Sequence, residues 1–190
     1  MKFDIRNRWS GEVQFTADID CDEGAEIGIK IGLAVKWAVK TGASLDGANL
    51  TGANLTGANL TVANLNGANL YGANLYGANL TWASLDGANL TGASLDGASL
   101  DGASLDGVNG INDWIKNIQI EQYPISYTSD VIQIGCQRHT HAEWREFDDA
   151  AILNMDGRVA LKWWRKYKDW LFQTIELCPA KPTKSDEAAQ

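Results

Sequence analysis

From Ala43 to Gly107 the chain repeats one five-residue unit thirteen times without an insertion: ASLDG ANLTG ANLTG ANLTV ANLNG ANLYG ANLYG ANLTW ASLDG ANLTG ASLDG ASLDG ASLDG. Every unit opens with Ala and carries Leu at its third place, from Leu45 to Leu105. A period of five matches neither the 3.6 residues of a helical turn nor the two-residue alternation of a strand, so no single helix or flat strand keeps this Leu column on one face. A chain that turns a corner once per unit does. Four units then close a twenty-residue coil, coils stack at the strand spacing of about 4.8 Å, and Leu and Ala share one interior. Eleven of the thirteen units end in Gly, which suits corners with unusual backbone angles. Val62 and Trp82 break that rule, twenty residues apart and therefore on one face.

The units resemble the pentapeptide-repeat family, whose consensus is Ala-(Asp/Asn)-Leu-x-x. The resemblance covers 65 of 190 residues and implies a mainly β fold, a short right-handed four-sided β-helix of about 3 coils. Around it the sequence predicts an N-terminal cap over residues 1–42, a C-terminal cap over 108–178 and a disordered tail over 179–190, because the ends of a β-helix are raw strand edges that need covering. The arrangement of the flanks resembles that of phage and prophage pentapeptide proteins.

In the N-terminal flank, KFDIRN and EVQFTADID read as a hairpin setting Phe3 and Ile5 against Val13, Phe15 and Ala17. Residues 25–40 alternate apolar and polar like a strand, while Ala, Lys and Trp near their end favour a helix. The helix is expected, with Asp22 as its cap and Gly42 as its stop. After the repeat, IKNIQIEQ, PISYT and VIQIGC read as strands, and THAEWREF and DDAAILNM as helical turns starting at Thr140 and Asp148. A longer helix runs from Gly157 to Cys178. It holds the chain's basic cluster, Arg158, Lys162, Arg165, Lys166 and Lys168, read as a solvated face lying near the repeat's acidic residues.

Charge is unevenly divided. The chain is at −8, and the repeat contributes five Asp with no Lys or Arg. Asp46, Asp86 and Asp106 fall on one face, and Asp96 and Asp101 join Asp86 and Asp106 in a ring around the last coil. Tyr71, Tyr76 and Trp82 are the aromatic residues pointing outward from the rod, and a flanking segment is expected to cover Trp82 beside Val62. Net acidity argues against direct binding of nucleic acid or anionic membrane, and no run approaches the roughly 18 apolar residues of a membrane span. With no apolar leader in MKFDIRNRW and three scattered cysteines, the expected compartment is the cytoplasm.

Enzyme chemistry has little to stand on. The repeat glycines never form a phosphate loop, and both histidines lie in one tripeptide. Cys136, His139 and His141 are three residues of ligand character, with Glu143 or Cys178 as a fourth, but a buried Cys136 and loop histidines are the preferred reading; no cofactor is expected. Two non-enzymatic functions stay open. Family resemblance implies an acidic mimic of DNA that binds or inhibits a DNA-handling enzyme such as gyrase, through Asp46, Asp86, Asp96, Asp101 and Asp106. The alternative is a scaffold that binds a protein partner through its flat faces and aromatic caps, without mimicry; Tyr71, Tyr76 and Trp82 join the five Asp as candidate partner contacts. Family resemblance also implies a homodimer paired end to end.

Overall fold

The computed structural model describes residues 1–110 and 112–183. Residues 184–190, part of the expected disordered tail, lie outside the described residues.

Within the repeat, each unit makes a tight turn in which the Ala N–H donates to the Leu carbonyl three residues earlier, as Ala48 N does to Leu45 O at 3.1 Å. The corner glycines hold φ near +65°, the third-position geometry of a type II turn, and Gly72 at +63° is representative. Parallel bridges pair residues twenty apart, such as Asn49 with Asn69 and Asn69 with Asn89. Each bridge is a two-way exchange. Leu50 N donates to Asn69 O at 2.8 Å, and Asn69 N donates back to Ala48 O at 2.8 Å. This is a β-helix, and all thirteen Leu are buried in it. Each contributes about 2 kcal/mol relative to exposure.

Strands β1 (Lys2–Arg6) and β2 (Val13–Asp18) form the expected hairpin, with Phe3 opposite Ala17 and Ile5 opposite Phe15. Helix α1 (Ile27–Thr41) follows and ends at Gly42 in the left-handed conformation. The strand-like alternation of this segment is overridden by burial of Ile31, Ala34, Val35 and Ala38 on one helical face. Its N-cap is Glu26 and not Asp22, whose carbonyl instead accepts from Ala25 N in a preceding turn. These elements meet the open edge of the first coil directly: Asn49 N donates to Arg6 O, Arg8 N to Gly47 O, and Asn54 N to Gly28 O at 2.9 Å.

Beyond the repeat, β3 (Lys116–Ile120), β4 (Tyr123–Tyr127), β5 (Val131–Ile134) and β6 (Gln137–Thr140) form an antiparallel sheet in sequential order. Strand β6 occupies a stretch expected to be loop; its pairing of Ile132 with His139 and Gln133 with Arg138 supplies order that CQRHTH does not advertise. Helices α2 (His141–Glu146) and α3 (Asp149–Leu177) cover one face of the sheet. Thr140 caps α2 in a reciprocal capping box with Glu143, and Asp148 caps α3. Asp156 and Gly157 leave helical geometry, so α3 is two helices joined at a kink. The sheet and helices bury a second core, separate from that of the β-helix.

The two cores meet across a polar seam. Leu105 N donates to Gln133 Oε1 at 2.8 Å, Ser126 Oγ to Leu105 O at 2.8 Å, and Arg138 to Leu100 O at 3.0 Å. Residues 179–183 depart from the expected disorder: Thr183 is buried and its carbonyl accepts from Gly97 N, while Lys181 pairs with Asp113. The backbone of the last coil holds this stretch in place.

Gly28 and Gly32 sit one turn apart on α1, where the helix lies on bare coil backbone. A Cβ at Gly28 would fall 2.5 Å from Gly52 O, and one at Gly32 closer still to Asn54 O. Gly32→Ala is therefore expected to lower stability by about 1–3 kcal/mol in urea denaturation. Gly24→Ala, which meets nothing within 4 Å, is expected to change it by less than about 0.5 kcal/mol. Equal effects would show that the helix does not need this close approach.

Candidate interaction site

Val62 and Trp82 occupy corners built for glycine, with φ of +53° and +58°. Left-handed geometry costs an L-residue about 1–2 kcal/mol, most of all a β-branched or bulky one. Neither side chain recovers this by burial: Val62 is 71% and Trp82 67% exposed, so no flanking segment covers them among the described residues. The indole lies over Gly102, one coil further along, where any Cβ would collide with the ring.

Past the indole opens a groove of about 580 Å³ between the rod and the C-terminal sheet. Trp82, Asp101 and Gly102 line one side, and Val131, Cys136, Arg138 and His139 the other. Five of the residues singled out in the sequence thus converge: Trp82, Asp101, Cys136, His139 and Glu143. Arg138, which sequence reasoning missed, is the groove's central charge. Burial pushes its pKa down and the Asp101 carboxylate opposes that shift, while its Nε is buried without a hydrogen-bond partner among the described residues. An Arg between Gln137 and His139 in CQRHT offered no periodic signal.

The remaining sequence candidates disperse. Asp46 and Asp96 are exposed on the rod, and Tyr71 and Tyr76 are half-exposed at neighbouring corners. Asp86 is not a free carboxylate: its Oδ1 accepts from Ser104 Oγ at 2.5 Å and from Asp106 N at 3.0 Å. Asn66 does the same for Ser84 and Asp86 one coil earlier. Asp101 accepts from Ser99 Oγ at 3.1 Å.

The basic cluster does not lie along this ring. Arg165 pairs with Asp149, Lys166 with Glu121 at 2.9 Å, and Lys168 donates to Arg145 O. The charges of Arg165 and Lys166 are answered within the C-terminal unit. Cys136, expected to be buried, is exposed. His139 packs edge-on against Trp144 and Phe147, and His141 Nε2 lies 2.9 Å from Thr128 O. Each histidine is held by its own contacts, and among the described residues no group of three His, Cys, Asp or Glu is placed to hold a metal. Among them also, no helix is long and apolar enough to cross a membrane.

Asp106 stacks above Asp86 and its carboxyl is raised above the usual carboxylate range, first by burial and then by the Asp86 charge. A folded pKa above the unfolded one means that the folded chain binds this proton more tightly. Stability is then greatest below the ordinary value near 4 and falls as pH rises through the raised value. Asp106→Asn is expected to remove that loss, gaining up to about 0.5 kcal/mol at pH 7 and nothing at pH 3. Parallel urea titrations at the two pH values check it, and a gain of equal size at both would contradict it.

Known proteins resemble the chain through its repeat. The description of pentapeptide repeats, in 8 copies, matches residues 43–81 and 73–109. Among solved structures, a pentapeptide repeat protein of the Arabidopsis thaliana thylakoid lumen is 36% identical over 35% of this chain and 46% of its own, with a TM-score of 0.34. One from the cyanobacterium Cyanothece 51142 is 45% identical over 34% of this chain and 40% of its own, with a TM-score of 0.23. Another, from Nostoc PCC 7120, is 33% identical over 41% of this chain and 78% of its own, with a TM-score of 0.21. The chain spans less than half the length of the first two. No curated protein matches it.

Proposed function

The chain belongs to the pentapeptide-repeat family through residues 43–109, and from that premise we propose that it is a non-enzymatic protein-binding module that receives its partner in the groove walled by Trp82. One observation carries the reading. A bulky aromatic stands two-thirds exposed at a corner whose left-handed backbone favours glycine, over a neighbour kept as glycine. Residues retained against local strain mark places where something other than folding is served. Exposed Trp is also the side chain most enriched at binding hot spots. We further read the rod as a right-handed four-sided coil capped by both flanks: pairing at twenty residues with a turn every five supports the four sides.

Mimicry of DNA is the weaker reading. A mimic needs carboxylates free to replace phosphates, whereas Asp86 is spent on the neighbouring coil and Asp101 faces Arg138. End-to-end pairing through the last coil is not part of the proposal, since Gln133, Ser126, Arg138 and Thr183 already bond to that edge. Three free cysteines fit a reducing compartment such as the cytoplasm.

Affinity capture from bacterial lysate tests the proposal. Trp82→Gly is expected to abolish capture of the wild-type partner while leaving the melting temperature unchanged or higher, because glycine relieves the left-handed strain. Replacing Asp86, Asp96, Asp101 and Asp106 by Asn is expected to leave capture largely intact. The opposite pattern, loss with the Asn variant and retention with Trp82→Gly, would restore the mimic.

A further inference from the structure

On the opposite side of the C-terminal sheet from the groove, the kink in α3 opens a second space. Gly157 has φ +73° and ψ −163°, a conformation essentially confined to glycine. It turns the segment carrying Ile152 and Met155 away from the line of the helix carrying Ala160, Trp163 and Trp164. Between them is an apolar pocket of about 90 Å³, walled by Ile134, Trp144, Met155, Ala160, Trp163 and Trp164.

Its walls are fixed before any ligand arrives. Trp144 Nε1 donates to Ile132 O at 2.7 Å and Trp163 Nε1 to Ile120 O at 3.2 Å, which uses the indoles' only donors and leaves their hydrocarbon surfaces to the pocket. Trp144 and Trp164 also brace one another at 5.2 Å between ring centroids. Tyr123 and Asp156, both lining residues, are joined by a hydrogen bond of 2.9 Å from the phenol to the carboxylate. Protein cores leave few voids larger than a water molecule. Apolar surface offers water few partners, and a wholly apolar cavity of about 150 Å³ stays dry and takes benzene. In proportion, 90 Å³ holds about four carbon atoms.

We propose that this pocket is a binding site for a compact, uncharged aliphatic molecule of about four carbons, separate from the groove although Cys136 borders both. Two features select the ligand class. The walls supply mainly hydrocarbon surface, with the Asp156 carboxylate at their edge already taken by the Tyr123 hydroxyl, and Ala160 supplies a small side chain at a place where a larger one would fill the space.

The chain has two methionines, Met1 and Met155, so methionine labelled with carbon-13 at its methyl group reports on the pocket with an internal control. Isobutanol titrated into the full chain is expected to shift the Met155 methyl resonance saturably, with a dissociation constant in the millimolar range, while Met1 stays still. Glycerol, similar in size but polar, is expected to shift neither. Ala160→Leu, which fills the pocket, should weaken the Met155 response at least tenfold; Ala160→Val provides a smaller filling should the larger one disturb folding. A non-saturating drift of both methyls, or an undiminished response in a folded filling variant, would overturn the site. Trp82→Gly should titrate like the wild type, so failure here and failure of the groove are read separately.

Discussion

Hydrogen bonding between residues twenty apart is the constraint from which the rest of the molecule follows. Once Leu50 N reaches Asn69 O and Asn69 N returns to Ala48 O, every residue has a fixed neighbour above and below. The repeat becomes a set of columns, and a substitution is judged by its column as much as by its own unit. Thus Val62, Trp82 and Gly102 form one corner column in which two residues carry strain and the third makes room for an indole. The same rule leaves backbone donors and acceptors open at both ends, where unpaired strand edges invite unwanted pairing.

The two ends meet that demand by different chemistry. At the first coil, backbone answers backbone: Gly28 O accepts from Asn54 N, and the absence of side chains at Gly28 and Gly32 lets the helix lie on the coil. At the last coil, side chains from the sheet substitute for a further coil, through Gln133, Ser126 and Arg138. A seam made of side chains cannot follow the rod's outline as closely as another coil would. The space left beside it is the groove past Trp82, so the candidate site is a consequence of how the rod is ended.

How much of this was legible depended on the distance over which each feature is encoded. The β-helix was legible because its signal recurs thirteen times, and Val62 and Trp82 stood out because eleven glycines defined their column. Hairpin register and the Thr140 and Asp148 caps were legible because they are written within a few residues. The groove was not, since Trp82 and Arg138 are brought together only where two separate cores meet. A weak signal did exist: Gln133 inside VIQI and Ser126 inside PISY are polar residues in strands otherwise fit for burial. Both prove buried and bonded to the rod. Strand β6 was illegible because CQRHT lacks alternation and borrows its order from β5.

The coupling of Ser with Asp and of Asn with Thr, Tyr or Asn across each Leu follows from the same local chemistry. An Asn before Leu turns its Oδ1 toward the N–H two residues on, as Asn59 does for Thr61 and Asn74 for Tyr76. A carboxylate at that second position would face this acceptor with another acceptor. Ser offers a donor in its place, as Ser99 does to the Asp two residues on. Asp86 draws its donor from Ser104 in the next coil, while Ser44 instead accepts from Asp46 N. The Asp86 and Asp101 carboxylates are thus engaged by the rod's own backbone and hydroxyls, while Asp46 and Asp96 stay exposed. At Val62 and Trp82 the rod also exposes apolar surface, where the demands of the turn and the choice of residue conflict.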